Sequence, residues 1–352
     1  MKPNIKDLSF SEFEAYLAQR KQPAYRARQV WQWLYQKRAT SFAEMTNVSA
    51  ALRELLAEDF NIGRLVIERK AVSSDGTVKF LFCLSDGANI ESVLIPETKR
   101  LTLCVSTQAG CGFGCAFCAT ALLGLKRNLR AGEIVDQVLE ASRALSGDRR
   151  ITHVVLMGMG EPLANYTETV KALEVMIDTN RGIGISPRRI TLSTVGLVPQ
   201  IQKLMNETNV NLAVSLHAPT DELRSQLMPV NRKYSLRQLM ECCRALPIPR
   251  RKRITFEYVL LRGFNDAAAH AHKLAELLRG IRCKVNLIPF NPHPGSEFQR
   301  PEAEDVVHFQ QILQVHGLQV NVRKPRGDDI AAACGQLQGE TSEEREGTAA
   351  NC

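Results

Sequence analysis

Hydrophobic and polar positions change rhythm three times along this chain. Over residues 1–60 the spacing is helical: in residues 26–35 the apolar positions Val30, Trp31 and Leu34 fall one, three and four apart, and residues 50–60 repeat the pattern. Both tryptophans, Trp31 and Trp33, lie in this stretch, where the spacing makes them core residues of a small helical module rather than base-stacking platforms. Between 61 and 96 the runs shorten, and residues 65–67, 78–82 and 92–95 read as strands of a β-extension split by Ser-Asp-Gly turns. From 97 to 335 strand, loop and helix alternate. Apolar, β-branched runs at 101–106, 151–157, 189–194, 211–216, 254–260 and 284–289, with a weaker seventh at 319–323, are separated by helical stretches such as 131–145, 167–177, 221–228, 235–245 and 267–279. Such alternation predicts βα units around a parallel sheet; by pattern alone six units fit an open or a closed barrel. Residues 336–352 hold four Glu and one Arg with few apolar positions, and are expected to be disordered.

Charge adds a partner to this α/β body. With 45 Lys and Arg against 37 Asp and Glu the net charge is +8, and the cations cluster at Arg149-Arg150, Arg188-Arg189, 250–253 and 323–326. A basic body suits a polyanion such as RNA, although a solvated basic surface would look the same. No apolar run approaches the roughly 18 residues a membrane span needs, and no secretory signal opens the chain, so the expected compartment is the cytoplasm. Ten cysteines in such a setting point away from a disulfide framework and toward metal, cluster or redox chemistry.

The cysteines give the chemistry its first definite shape. Cys111-Gly-Phe-Gly-Cys115-Ala-Phe-Cys118 is C-x3-C-x2-C in a glycine-rich loop after the first barrel strand. Three thiolates so close can hold three irons of a [4Fe–4S] cube and leave the fourth iron open to a substrate or cofactor. The competing reading is a three-cysteine zinc site completed by Cys104 or a histidine, but zinc sites usually draw on a distant second pair that this sequence lacks. A second glycine-rich turn, Met157-Gly-Met-Gly-Glu161-Pro, closes the next strand. Ser193, Ser215-Leu-His217 and Asn291 close later ones, at the strand ends where barrel active sites are built.

The cysteine spacing, with an aromatic at Phe117, resembles the radical S-adenosylmethionine (SAM) superfamily. Within it, the chain is similar to the dual-specificity ribosomal and transfer RNA adenine-C2 methyltransferases (the RlmN type) over nearly its whole length. The matching segments run in order from Leu103-Cys104-Val-Ser-Thr-Gln-Ala-Gly-Cys111 through Gly158-Met-Gly-Glu-Pro162, Thr191-Leu-Ser-Thr194, Ser215-Leu-His-Ala-Pro219 and Asn286-Leu-Ile-Pro-Phe-Asn-Pro292 to Cys334-Gly-Gln-Leu. The resemblance implies an open (βα)6 barrel behind a helix-hairpin-helix-like RNA module. It also implies one [4Fe–4S] cluster on Cys111, Cys115 and Cys118, and SAM held by Gly160, Glu161, Ser193, Ser215, Leu216, His217 and Asn291.

Adenine C2 is electron-poor and will not attack the methyl of SAM, which explains why the family needs two further cysteines. By resemblance, Cys334 takes a methyl from one SAM, a role suited to a thiolate. A radical generated from a second SAM abstracts hydrogen from that S-methyl group, and the resulting carbon radical adds to C2. Cys104 then closes a transient disulfide with Cys334 and releases the base, while Glu91, or the Cys104 thiolate in its place, removes the C2 proton. Read without the resemblance, Cys104 inside an apolar strand is a small core residue, and Cys83, Cys242, Cys243, Cys283 and Cys352 match no motif. The implied partners are 23S ribosomal RNA, transfer RNA and an electron donor of the flavodoxin or ferredoxin kind, with the chain itself a monomer. Two rival functions remain: C8 methylation, as in the resistance branch of the same family, and a non-catalytic RNA-binding protein with a structural metal.

Overall fold

The computed structural model describes residues 2–338; residues 339–352, most of the predicted acidic tail, lie outside the described residues. Three helices open the chain: α1 (Phe10–Gln19), α2 (Tyr25–Tyr35) and α3 (Ala50–Asp59). Ser9 and Glu12 form a reciprocal cap that starts α1. Trp31 is buried against Phe13 and Tyr35, each with ring centroids 5.3 Å away. Trp33 is half-buried, with its indole N–H on Asn47 and Lys37 over its ring.

The strands β1 (Val66–Val72), β2 (Val78–Cys83) and β3 (Asn89–Glu97) run antiparallel, and β3 pairs with β4 (Arg100–Cys104). The β-extension is therefore no separate linker but the edge of the main sheet. Beyond β4 come β5 (Gln108–Gly110), α4 (Ala119–Leu122) and β6 (Leu125–Asn128), a hairpin with the cysteine loop and a helical turn between its arms. The βα units continue with α5 (Ala131–Arg143), β7 (His153–Leu156), α6 (Tyr166–Ile177), β8 (Ile190–Thr194), α7 (Val198–Glu207), β9 (Asn211–Ser215), α8 (Asp221–Leu227) and α9 (Leu236–Ala245). They finish with β10 (Ile254–Leu260), α10 (Ala268–Leu277), β11 (Cys283–Pro289), α11 (Ala303–Val315) and β12 (Val320–Val322).

The sheet has ten strands in the order β1-β2-β3-β4-β7-β8-β9-β10-β11-β12, parallel from β4 onward, and among the described residues its two edges do not pair. This is an open (βα)6 barrel, with the expected seventh run surviving as the three-residue β12. Two further helices, α7 and α11, separate the remaining strands; α11 leaves Val307 and Val315 exposed, which blurs its apolar stripe. No helix among the described residues is long and apolar enough to cross a membrane.

Strand alternation sorts the residues of each parallel strand into two sets. In β10, Phe256 and Tyr258 are fully buried, while Thr255, Glu257 and Val259 line the barrel interior. In β11, Val285 and Leu287 are core, while Lys284, Asn286 and Ile288 face inward. With Thr102, Thr191 and Asn321 on the same side, the interior is largely polar, unlike the packed apolar layers that fill a closed (βα)8 barrel. A sheet so lined is built to admit something.

Candidate active site

The cysteine loop takes its shape from glycines. Gly110 has φ +77°, and a Cβ there would lie 1.9 Å from the Gly124 carbonyl oxygen, while the Cys111 N–H donates to that same oxygen. Cys111, Cys115 and Cys118 all line one cavity at the C-terminal ends of the barrel strands. Burial pushes the Cys111 thiol up to about 11 and raises Cys115 and Cys118, and charge on neighbouring sulfurs adds to it. Phe117 stands edge-on to the His217 ring, centroids 4.6 Å apart.

The next turn is as tightly determined. A Cβ on Gly158 would meet Ser106 Oγ at 2.7 Å, and one on Gly160 (φ +93°) would meet Gln108 Cβ at 2.4 Å. Gln108 Oε1 accepts from the Glu161 N–H at 2.8 Å. The Glu161 carboxylate accepts from the N–H groups of Leu163 (3.0 Å) and Val195 (2.8 Å), and burial outweighs these bonds to raise its pKa to about 7. Ser193, Ser215, His217 and Asn291 line the same cavity. His217 sits at φ +59°, a strained position for a residue with a side chain, and its Nδ1 accepts from the Val259 N–H, leaving the hydrogen on Nε2. Burial, then the Arg224 charge, depress its imidazole to about 3, so the ring is neutral.

Cys334 enters this cavity from an exposed loop after β12. Its carbonyl accepts from Asn291 Nδ2 at 3.1 Å, and the Gly335 carbonyl accepts from the Ala119 N–H at 2.8 Å, next to Cys118. The Arg323 guanidinium is held above its ordinary range, chiefly by the nearby Cys334 sulfur. Surface polar contacts tie the rest of the loop to the β1–β2 turn: Asp329 accepts from Ser73 Oγ (2.5 Å) and the Ser74 N–H (3.1 Å), and Asp75 accepts from the Gly327 N–H (3.3 Å). Cys104, at the end of β4, is buried; burial, then Cys334, push its thiol up to about 12. Both are free thiols in this structure.

Comparison with known proteins decides what this arrangement is. The family model of the radical SAM superfamily matches residues 105–275, and that of the ribosomal RNA large subunit methyltransferase N-terminal domain matches residues 3–62. The dual-specificity RNA methyltransferase RlmN of Syntrophobacter fumaroxidans is 50% identical over 96% of this chain and 98% of its own. That of Desulfosudis oleivorans is 51% identical over 95% and 90%. The crystal structure of a radical SAM methyltransferase from Sphaerobacter thermophilus superposes with a TM-score of 0.90 at 47% identity, covering 96% of this chain and all of that one. The chain belongs to the RlmN family.

Membership carries the superfamily's cofactors, one [4Fe–4S] cluster and SAM, and the residues fit them. Cys115 is buried and Cys111 and Cys118 are half-buried, so three thiolates gathered there would need cationic metal to be stable.

Three residues expected in the RlmN site do not line the cavity: Cys104, buried at the end of β4, Leu216 and Glu91. Leu216 points into the core; its N–H donates to the Glu257 carbonyl and its own carbonyl accepts from Arg224. Glu91 is buried on β3, paired with Lys79 at 2.9 Å and accepting the Gln338 N–H at 2.9 Å. Sequence reasoning also passed over three residues. Arg224, fully buried, donates to the carbonyls of Val195, Ser215 and Leu216 and so clamps the ends of β8 and β9. Glu257, bonded by Asn286 at 2.9 Å, and Arg323 both line the cavity. No local motif marks Arg224; Arg323 stood out only as one cation of the 323–326 cluster, and inward register on β10 was the only available signal for Glu257.

Proposed function

We propose that this protein methylates C2 of adenosine in 23S ribosomal RNA and transfer RNA through an S-methylcysteine on Cys334. The observation that carries the reading is the meeting of Cys334, on an exposed loop from the far end of the chain, with Cys111, Cys115 and Cys118 in one cavity. A cluster-binding protein without chemistry has no use for that thiol. When bound, the cluster and SAM supply the one-electron cleavage that generates a hydrogen-abstracting radical. Cys111, Cys115 and Cys118 would hold the cluster. Gly160, Glu161, Ser193, Ser215, His217 and Asn291 would hold SAM, the Glu161 carboxylate facing its ammonium group, with Leu216 acting only through the backbone that sets its two neighbours.

Within this reading Cys334 Sγ is the methyl acceptor, with the Arg323 guanidinium beside it. Cys104, buried and kept protonated until needed, is the thiol that closes on Cys334 as the base departs. Glu91 is the proton acceptor that the family resemblance names; the Gln338 N–H would have to leave its carboxylate for it to serve. Electrons come from a flavodoxin- or ferredoxin-type donor, the chain works as a monomer, and the cytoplasm, which keeps thiols reduced, is the compartment.

The test is anaerobic incubation of the reconstituted protein with SAM, reductant and either protein-free 23S ribosomal RNA or transfer RNA, followed by nucleoside mass spectrometry. The expected product is 2-methyladenosine in both RNAs. Only 8-methyladenosine would move the protein to C8 chemistry, and no methylated adenosine with iron and sulfide present would overturn the reading.

A further inference from the structure

On β2 a single ammonium group touches both the Glu91 carboxylate and the loop that carries Cys334. Lys79 Nζ lies 2.9 Å from Glu91 Oε1 and donates to the Ala331 carbonyl at 3.2 Å. Its side chain keeps only 13% of its surface in solvent, and that of Glu91 keeps 1%. Strand register explains the meeting. Leu81 pairs with Glu91, Lys79 with Val93, and Val93 in turn with Cys104. Directly paired residues share a sheet face, as do residues two apart on one strand. Lys79, Glu91 and Cys104 therefore stand on one face, the same that Ile95 and Thr102 turn to the barrel interior. Two residues on from Val93, Glu91 lies past Cys104 at the catalytic end of β4, where its backbone carbonyl accepts from Ser106 Oγ at 2.6 Å.

Both contacts are demanding ones. A carboxylate so deeply buried needs a countercharge against it. Lys79 supplies one on Oε1, while the Gln338 N–H takes Oε2 at 2.9 Å. At the other contact, Ala331 sits at φ +49°, a conformation that persists in a residue with a side chain only where its surroundings hold it. Lys79 holds its carbonyl, and the Asp328 carbonyl accepts its N–H at 3.3 Å. Gly327, four residues earlier, packs so closely on β2 that a Cβ there would meet Thr77 Cγ2 at 3.0 Å. The second strand is thus the seat of the loop, and Lys79 is the point where that seat reaches the buried acid.

We propose that Lys79 is a positioning residue for the proton transfer that precedes release: it supplies the countercharge to the Glu91 carboxylate and holds the Cys334 loop in register with it. The inference rests on Glu91 as the acceptor of the C2 proton and adds what readies it. In that step the C2–H bond breaks, its proton goes to a Glu91 carboxylate oxygen, and its electron pair stays with the base. The carboxyl group becomes neutral and its ion pair with Lys79 is lost, while the ammonium keeps its hold on the Ala331 carbonyl. Methyl transfer to the Cys334 sulfur and addition to C2 come earlier and use neither partner of the pair. Loss of the Lys79 charge therefore strikes one stage of the reaction and spares those before it.

The experiment follows one anaerobic turnover of holoenzyme on protein-free ribosomal RNA with methyl-labelled SAM. Label on Cys334, protein–RNA adduct on denaturing gels and free 2-methyladenosine are counted separately. Lys79→Gln keeps a donor for the Ala331 carbonyl but removes the charge, whereas Lys79→Arg keeps the charge. Glu91→Gln and the double variant Lys79→Gln/Glu91→Gln complete a cycle. For Lys79→Gln the expected result is normal label on Cys334, normal iron content and unchanged affinity for RNA, with adduct accumulating and release slowed at least about tenfold. Lys79→Arg should recover most of that rate, and the double variant should be no slower than Glu91→Gln alone. Normal release by Lys79→Gln would overturn the proposal, and so would a double variant whose defects multiply, since Lys79 would then act apart from Glu91. Loss of Cys334 label or of iron in both Lys79 variants would reduce the residue to a structural prop and overturn it as well. Should Glu91→Gln alone release product at the wild-type rate, the assignment of the proton acceptor falls and the proposal with it. A wild-type protein that never labels Cys334 would remove the methyltransferase reading itself.

Discussion

Two cysteine-bearing loops meet in the cavity, and they are built on opposite principles. The loop of Cys111, Cys115 and Cys118 is locked: a positive φ and a carbonyl contact make Gly110 irreplaceable, the β5–β6 hairpin frames it, and its thiols are largely buried. The loop of Cys334 leaves that residue exposed between buried neighbours and is tethered by hydrogen bonds that Asp75 and Asp329 accept, which form and break at little cost in water. A cofactor-binding element gains from rigidity, because any slack lowers the fit of its ligands. An element that must accept a methyl group, carry it to a base and then meet a second thiol gains from restrained mobility. Substitutions that strike one loop and spare the other separate the two principles, and they are taken in order of expected effect.

Cys334→Ala is expected to bring RNA methylation to background while iron and sulfide per chain stay at wild-type levels. Residual methylation at the normal rate would end the covalent route. Cys104→Ala goes nearly as far, since it blocks release: a protein–RNA adduct should accumulate on denaturing gels after a single turnover, and recovery of free RNA alone would remove Cys104 from that role. Gly110→Ala is the mirror image. Forcing a side chain into the left-handed region costs about 1–3 kcal/mol before the clash with Gly124 is counted. Cluster content should fall several-fold, with the Cys334 loop untouched as judged by alkylation of its thiol. If Gly110→Ala loads iron normally, the claim of a locked loop fails.

The contrast also explains what can be read from sequence. The locked loop is legible because its three ligands and its glycines are neighbours in the chain, so spacing alone carries the geometry. The tethered loop is not: Cys334 and Cys104 are brought together by β12 and β4 on opposite sides of an open sheet, and the residues take their roles only through family resemblance. The runs of the parallel barrel strands are visible to within two residues, whereas β1 and β3 outrun their predicted spans and β5 and β6 have no run of their own; even so, the alternation inside the runs is masked. Thr255, Glu257, Lys284 and Asn286 sit in segments whose apolar partners dominate the pattern, and their shared inward register appears only once the strands pair. Arg224 is invisible for a related reason, since a buried arginine is identified by the carbonyls around it and not by its neighbours in sequence.

Glu161 tests the rigid side without touching the cluster ligands. Its carboxylate is fixed by the Leu163 and Val195 N–H groups, which a glutamine amide can satisfy only through its one oxygen. A charge-assisted contact to an ammonium group is worth about 1.5–3 kcal/mol. Glu161→Gln should therefore weaken SAM binding by roughly 10- to 100-fold in equilibrium dialysis, with unchanged iron content. Wild-type affinity would remove Glu161 from the SAM site.

The smallest effect belongs to the tether. Asp329 accepts from Ser73 and Ser74 at the rim of the sheet, and its carboxyl is held below the usual range, chiefly by the Ser73 hydroxyl and then the Ser74 N–H. Asp329→Ala removes both contacts, each weak at so exposed a site. The global fold should not notice, because the sheet beneath is unchanged, and the thermal midpoint is expected to stay within a degree or two of wild type. Catalysis should notice slightly: a looser loop spends less time with Cys334 in the cavity, so kcat should fall about two- to fivefold while KM for RNA holds. Restoring the acceptor as Asp329→Asn should recover part of the loss, because the amide oxygen can still take one of the two hydrogen bonds. A variant as fast as wild type would show that the Asn291 and Ala119 contacts hold the loop without help, and the distinction between a locked and a tethered element would lose its clearest structural support.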